Sequence, residues 1–219
     1  MKKIAVILSG CGYLDGAEIR ESVLTLLALD QAGVSYKIFA LNQDQHHVVN
    51  HLTGEEMTGE RRNILEEAAR IARGKIEDVA KLDVNNFDAL VIPGGFGVAK
   101  NLCTFAFEGS NASVNPQILG QIKAFKAASK PIGAICIAPA LLALALGSNK
   151  PVLTLGTSDD VAREIEKTGA IHQNCTTSEC IIDREHKFVS TPAYMGEDAK
   201  LSEVYLGIST LVQKVIELA

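Results

Sequence analysis

The chain has no tryptophan, and aromatic residues make up only 5% of its 219 positions. It also lacks an excess of positive charge: 21 Lys and Arg stand against 26 Asp and Glu, a formal net charge of -5. That balance excludes a strongly electrostatic nucleic-acid binder, because phosphate binding rests on clustered Lys and Arg. No apolar run is long and unbroken enough to span a membrane. The most apolar stretch, Ile132–Leu146, is interrupted by Pro139 and begins like a strand. Ile4–Leu8, directly after Met1-Lys2-Lys3, is too short for the core of a signal peptide and stops at Ser9-Gly10. A disulfide framework is also missing. The five cysteines (Cys11, Cys103, Cys136, Cys175, Cys180) are odd in number and irregularly spaced, which predicts reduced thiols and a cytoplasmic protein.

What remains is ordinary globular composition, 47% hydrophobic and 21% charged, with enough length for a large core in one domain spanning 1–219. Short apolar runs alternate with longer amphipathic ones, the pattern of a parallel sheet covered by helices. Strands are predicted at Ile4–Leu8, Tyr36–Ala40, Ala89–Ile92, Ile132–Ile135, Val152–Leu155, Cys180–Asp183 and Phe188–Thr191. Helices are predicted at Glu18–Ala32, Arg61–Arg73, Pro116–Ala128, Ala138–Leu146, Asp159–Lys167 and Leu201–Leu218. Gly33, Gly74 and Gly147 supply helix stops. The polar stretch Gln43–Glu60 reads as an insertion or lid, and Ala106–Asn115 as a second insertion.

Open α/β sheets place ligands at the carboxyl ends of their strands. Ser9–Gly12, Pro93–Gly97, Cys136 and Thr191-Pro192 all follow predicted strands. Cys136 sits at a strand-to-helix turn, where the next helix directs amides and its positive dipole end toward the sulfur. Such a position lowers a thiol pKa and favours a nucleophilic thiolate; the alternative is a buried cysteine that fills space. Pro93-Gly94-Gly95-Phe96-Gly97 can supply an oxyanion hole with the Ile137 amide, or can simply be a tight turn that needs glycine. Glu18 and Glu21 open the first helix, where a carboxyl can be pushed toward the sulfur and kept protonated by burial, or can be a surface acid favoured by the dipole. Gly10-Cys11-Gly12 fails as a dinucleotide turn: Asp15 occupies the last glycine position and the second strand ends without a ribose-binding acid. His46, His47 and His51, and the looser set His172, Cys175 and Cys180, lack the spacing and fourth ligand of a zinc site. No metal or cofactor is expected.

Together these residues resemble the ThiJ/PfpI superfamily. The resemblance covers essentially the whole chain and includes Gly16-Ala17-Glu18-Ile19-Arg20-Glu21, Pro93-Gly94-Gly95-Phe96-Gly97 and Ala134-Ile135-Cys136-Ile137-Ala138-Pro139. Ser9-Gly10-Cys11-Gly12, Asp15–Ile19, His51-Leu52-Thr53-Gly54-Glu55 and Thr191-Pro192-Ala193-Tyr194-Met195 look like its ElbB branch, called enhancing lycopene biosynthesis protein or isoprenoid biosynthesis protein with an amidotransferase-like domain.

The resemblance implies a flavodoxin-like three-layer α/β sandwich, a mostly parallel sheet with helices on both faces. It also implies a homodimer and a glyoxalase III-like, glutathione-independent conversion of glyoxal, a small aldehyde, to glycolate. In that activity Cys136 is the nucleophile, Glu21 its carboxyl partner with Glu18 as competitor, and Gly94, Gly95 and Ile137 surround the substrate oxygen. Two departures bear on this. The histidine usual in such glyoxalases has no counterpart in Leu153-Thr154-Leu155-Gly156. Class I glutamine amidotransferases need a late His-x-Glu pair, and neither His172 nor His186 has it. A non-catalytic redox sensor or regulator linked to isoprenoid biosynthesis, or a partner subunit of an enzyme of that pathway, is the alternative.

Overall fold

The computed structural model describes residues 1–219 apart from Ser158, Glu197 and the side chain of Asp159. Seven strands form one sheet in the order β3-β2-β1-β4-β5-β9-β8. They are β1 (Lys3–Ile7), β2 (Ser35–Ala40), β3 (Ile76–Asp78), β4 (Ala89–Ile92), β5 (Ile132–Ile135), β8 (Ile181–Asp183) and β9 (Phe188–Thr191). Every neighbouring pair is parallel except β8 with β9. The apolar runs explain the centre of the sheet: β4, β5 and β9 are buried at every residue and β1 at all but Lys3, as strands covered on both faces must be.

Helices α1 (Ile19–Gln31) and α7 (Leu201–Leu218) pack on each other along the sheet. Gly133 of β5 faces α7, with Leu211 and Val215 filling the space a Cβ there would take. α4 (Pro116–Ala127) and α5 (Ala138–Leu146) form a second packed pair beside β5. α2 (Ile64–Ile71) and the short α3 (Phe105–Glu108) complete the helices before α4. After α5 come β6 (Val152–Leu153), α6 (Asp159–Lys167) and β7 (Ile171–His172).

Several boundaries move for local reasons. The helix predicted at Arg61–Arg73 begins at Ile64, because Asn63 Oδ1 accepts the amides of Leu65 and Glu66 and caps it. The strand predicted at Val152–Leu155 is shorter and lies outside the main sheet, paired in parallel with β7. Toward the main sheet its amides meet side chains, not a strand: Val152 N–H donates to Asp183 Oδ2 and Thr154 N–H to Ser190 Oγ. Gly147 does not stop α5 through a left-handed turn; it is right-handed and leads into a further 3-10 turn. The 43–60 stretch is fastened down, not a loose lid. Val49 N–H donates to Asp15 Oδ2 at 2.8 Å and His46 N–H to Asn101 Oδ1 at 2.9 Å.

Strand order reverses between β1 and β4, since the chain runs outward from β1 to β2 and β3 before returning to β4. That switch opens a crevice above the strand ends. The loops after β1 and β4 meet there closely. A Cβ on Gly97 would lie 2.5 Å from backbone atoms of Gly16, and one on Gly16 would lie 2.3 Å from the Cys11 nitrogen. Backbone cannot yield as side-chain ends can. Gly97→Ala is therefore expected to cost more than about 3 kcal/mol in chemical denaturation. Gly133→Ala, whose new methyl meets the side-chain tips of Leu211, Val215 and Val91 and no backbone, is expected to cost about 1–3 kcal/mol. Equal losses would contradict this account of the loop contact.

Candidate active site

β5 ends at Ile135, and Cys136 follows in a left-handed conformation, φ +62°. A non-glycine residue there carries strain of about 1–3 kcal/mol. The conformation is held by Cys136 N–H donating to Thr191 O at 2.9 Å, which extends the β5–β9 pairing by one residue. The turn delivers the sulfur to the crevice, where α5 starts immediately afterwards. Cys136 is 7% exposed, and that exposure faces a cavity.

The Glu21 carboxyl lies beside Cys136, close enough that each shifts the titration of the other. It has no solvent exposure. Its Oε2 accepts Gly94 N–H at 3.0 Å and its Oε1 accepts Tyr194 N–H at 3.3 Å. Gly94 must be glycine, because a Cβ would lie 2.4 Å from the Cys136 Cβ and 2.7 Å from Glu21 Oε2. Glu18 does not reach the sulfur in this way. It caps α1, its Oε2 accepting Glu21 N–H at 2.6 Å. Of the two expected acids, the structure places Glu21 beside the thiol and Glu18 at the cap of α1.

The expected amides divide between two tasks. The Gly95 and Ile137 amides lie near enough to the Cys136 sulfur to favour its charged form. Gly94 N–H is engaged by Glu21, so Gly94 is not a free donor for a substrate oxygen. The expectation of a lowered thiol pKa is also corrected. Burial, then the Glu21 charge, push the Cys136 thiol well above its ordinary value, and the two amides offset this only in part. Burial, then the Glu18 charge, raise Glu21 to about 8. At neutral pH the carboxyl is mostly protonated, and on raising pH it ionises before the thiol does.

Above the sulfur lies a cavity of about 920 Å³. It brings in Tyr13 and Phe105, which the sequence did not single out, and Phe96, Tyr194 and His51, which it named only within motifs or as a rejected metal ligand. The signal for Tyr194 was its place just after β9, and for Phe96 its place inside the glycine loop. His51 Nδ1 is 3.1 Å from Val49 O, and its Nε2 accepts Leu14 N–H at 3.2 Å, with Asp15 Oδ1 3.7 Å away. Both ring nitrogens are thus turned to the wall. Neither His172 nor His186 lines the cavity: His172 Nε2 accepts Leu155 N–H, and His186 Nδ1 sits 2.8 Å from Asp183 Oδ2. Among the described residues no group of three or more His, Cys, Asp and Glu can hold a metal ion, and no helix is long and apolar enough to cross a membrane.

A cysteine at a strained strand-to-helix turn, backed by a buried glutamate on the first helix, sits on a flavodoxin-like sheet of the ThiJ/PfpI fold. A ThiJ/PfpI domain protein from Brachyspira murdochii shares the fold, with a TM-score of 0.59 over 99% of this chain and 97% of that one at 13% identity. No protein-family model matches the chain. The isoprenoid biosynthesis protein with amidotransferase-like domain from Ehrlichia chaffeensis matches at a TM-score of 0.91 and 42% identity, over 99% of this chain and all of that one. The human glutamine amidotransferase-like class 1 domain-containing protein 3, mitochondrial, is 43% identical over 99% of this chain and 83% of its own length. The chain belongs to the family of these proteins, which includes the ES1 proteins of rat and zebrafish. The human, rat and zebrafish relatives are all named mitochondrial, which overturns the cytoplasmic expectation. Unpaired cysteines mark a reducing compartment without saying which one.

The buried carboxyl has a measurable consequence. The folded Glu21 pKa of about 8 lies above the ordinary 4.5, so the folded state holds a proton that the unfolded state releases between those values. Its contribution to stability is complete below pH 4.5 and is lost as pH rises to about 8, by roughly a kcal/mol per pH unit. Glu21→Gln removes this loss. Its melting temperature relative to the unmodified protein is expected to climb steadily from pH 5 to pH 8; a constant difference would mean that Glu21 ionises normally.

Proposed function

We propose that the protein is a glutathione-independent, glyoxalase III-like enzyme that converts an α-oxoaldehyde to a 2-hydroxy acid, glyoxal giving glycolate. The observation that carries this reading is the buried Glu21 carboxyl placed beside Cys136 at the base of the cavity, with the amides of Gly95 and Ile137 close to the same sulfur.

Because the thiol holds its proton, attack needs a base, and the Glu21 carboxylate is the base in contact. It takes the S–H proton as the sulfur bonds to the aldehyde carbon. The developing alkoxide is one bond from the sulfur, where the Gly95 and Ile137 amides are the nearest donors. Glu21 returns the proton to that oxygen, which completes a hemithioacetal. It then moves the C1 hydrogen to C2 as a proton, while the C1 hydroxyl proton passes to the C2 oxygen. The product is a thioester of the 2-hydroxy acid. Water breaks the C–S bond, supplies the acid's hydroxyl and returns a proton to the sulfur. No outside oxidant or reductant enters.

A glutamine amidotransferase is disfavoured, since both ring nitrogens of the cavity histidine, His51, are engaged by the wall. A redox sensor is disfavoured because selective oxidation needs a thiolate, and this thiol is raised. A place in isoprenoid biosynthesis is supported by the name of the Ehrlichia protein and by no feature of the site.

Purified protein is expected to form glycolate from glyoxal, and Cys136→Ala to form none. Full activity in Cys136→Ala would sink the mechanism. The active form requires the Glu21 carboxylate, so kcat/KM is expected to rise about tenfold per pH unit toward about 8 and then level. Glu21→Gln is expected to abolish that rise together with turnover, whereas a flat profile from pH 5 to pH 9 would remove Glu21 as the base.

A further inference from the structure

Glyoxal is a poor match for the space above Cys136. A water molecule takes roughly 30 Å³ of liquid volume, and glyoxal is little larger than two of them. The cavity measures about 920 Å³, near the upper end of the roughly 300–1,000 Å³ common for pockets that hold drug-sized ligands. Most of it would stay filled with water around so small a substrate.

The walls are unsuited to that water. Ile19, Phe96, Phe105, Ile137, Val161 and Met195 contribute apolar surface from six separate segments. The charged side chains of settled sign among the described lining residues are Glu18 and Arg20, and both are occupied. Glu18 Oε2 accepts Glu21 N–H at 2.6 Å, and Arg20 Nη1 donates to Tyr194 Oη at 3.3 Å. The mouth is apolar as well: Tyr13, Ile19 and Phe96 are 49%, 45% and 48% exposed and all line this one cavity. Scattered exposed apolar residues are unremarkable, but several converging on a cavity with a reactive group at its base mark a binding surface.

We infer that the substrate is an α-oxoaldehyde bearing a large apolar substituent, its two carbonyl carbons at Cys136 and its tail laid along the Ile19–Phe96 wall toward the mouth. This rests on the proposed function and adds the substrate class to it. The chemistry is unchanged, with an alkyl group in place of one glyoxal hydrogen: the sulfur bonds to the terminal aldehyde carbon, its hydrogen moves to the keto carbon, and water releases a 2-hydroxy acid. Burying more of the tail strengthens binding with each methylene until the cavity is filled.

The test is a series of alkyl glyoxals from glyoxal through methylglyoxal to hexylglyoxal, assayed with the full chain for the corresponding 2-hydroxy acids. kcat/KM for hexylglyoxal is expected to exceed that for glyoxal by at least about tenfold. In Phe96→Ser and Ile19→Ser that ratio is expected to fall by about tenfold. Glyoxal turned over as well as hexylglyoxal, or a ratio indifferent to both substitutions, overturns the inference and leaves the proposed function standing. If no member is consumed, the proposed function fails, and equilibrium binding decides the pocket separately. Isothermal titration with 2-hydroxyoctanoate and with glycolate, the products of the longest and shortest members, is expected to show at least about tenfold tighter binding of the former. Equal affinities, or none for 2-hydroxyoctanoate, reject the apolar-tail assignment on their own.

Discussion

A carboxyl with no access to water sits against a thiol, and much of the surrounding backbone is arranged to make that possible. Glu21 receives amides from Gly94 after β4 and Tyr194 after β9, and its own amide is held by Glu18 at the start of α1. Cys136 comes from β5 through a left-handed turn anchored to Thr191. Three neighbouring strand ends and one helix N-terminus therefore converge on two side chains. Without glycine at position 94, the approach of Cys136 to Glu21 would be blocked by a single methyl group. Burial raises the carboxyl to about 8, a range where an acid can both give and take a proton.

The same convergence explains why a chain resembling amidotransferases lacks their usual histidine partner beside Cys136. The cavity does receive a histidine, but from the 43–60 stretch and with its nitrogens turned toward Leu14 and Val49. His51 thus ties that stretch to the loop after β1, edge-on to Tyr13 at the cavity wall. In the reaction proposed above, proton handling at the sulfur falls to Glu21, with one carboxyl serving in turn as base and acid beneath a wide apolar chamber.

Much of the architecture was legible in the chain because each central strand is a short apolar run closed by turn residues. β4, β5, β9, α5 and α7 fall where the periodicity places them. The elements that escaped notice are those whose reason lies elsewhere in the structure. β3 is three partly exposed residues that form a strand only because β2 offers an open edge. The π-helical turn at Val98–Leu102 follows a glycine loop pressed against Gly16. α2 starts late because one asparagine caps it, which hydrophobic spacing does not record.

The sequence by itself determined that Cys136 stands at a strand-to-helix turn, that glycines flank it after β4, and that an acid opens the first helix. These are local matters of chain geometry and residue type. It left Glu18 and Glu21 competing through local spacing, and it pointed to a lowered thiol pKa, because a helix N-terminus considered alone favours a thiolate. Only the tertiary structure decided both points. Choosing between acids three residues apart depends on which of them α1 turns toward the sulfur. The thiol's pKa depends on how much water the packed sheet and the glycine loop exclude from it, and on the Glu21 charge beside it.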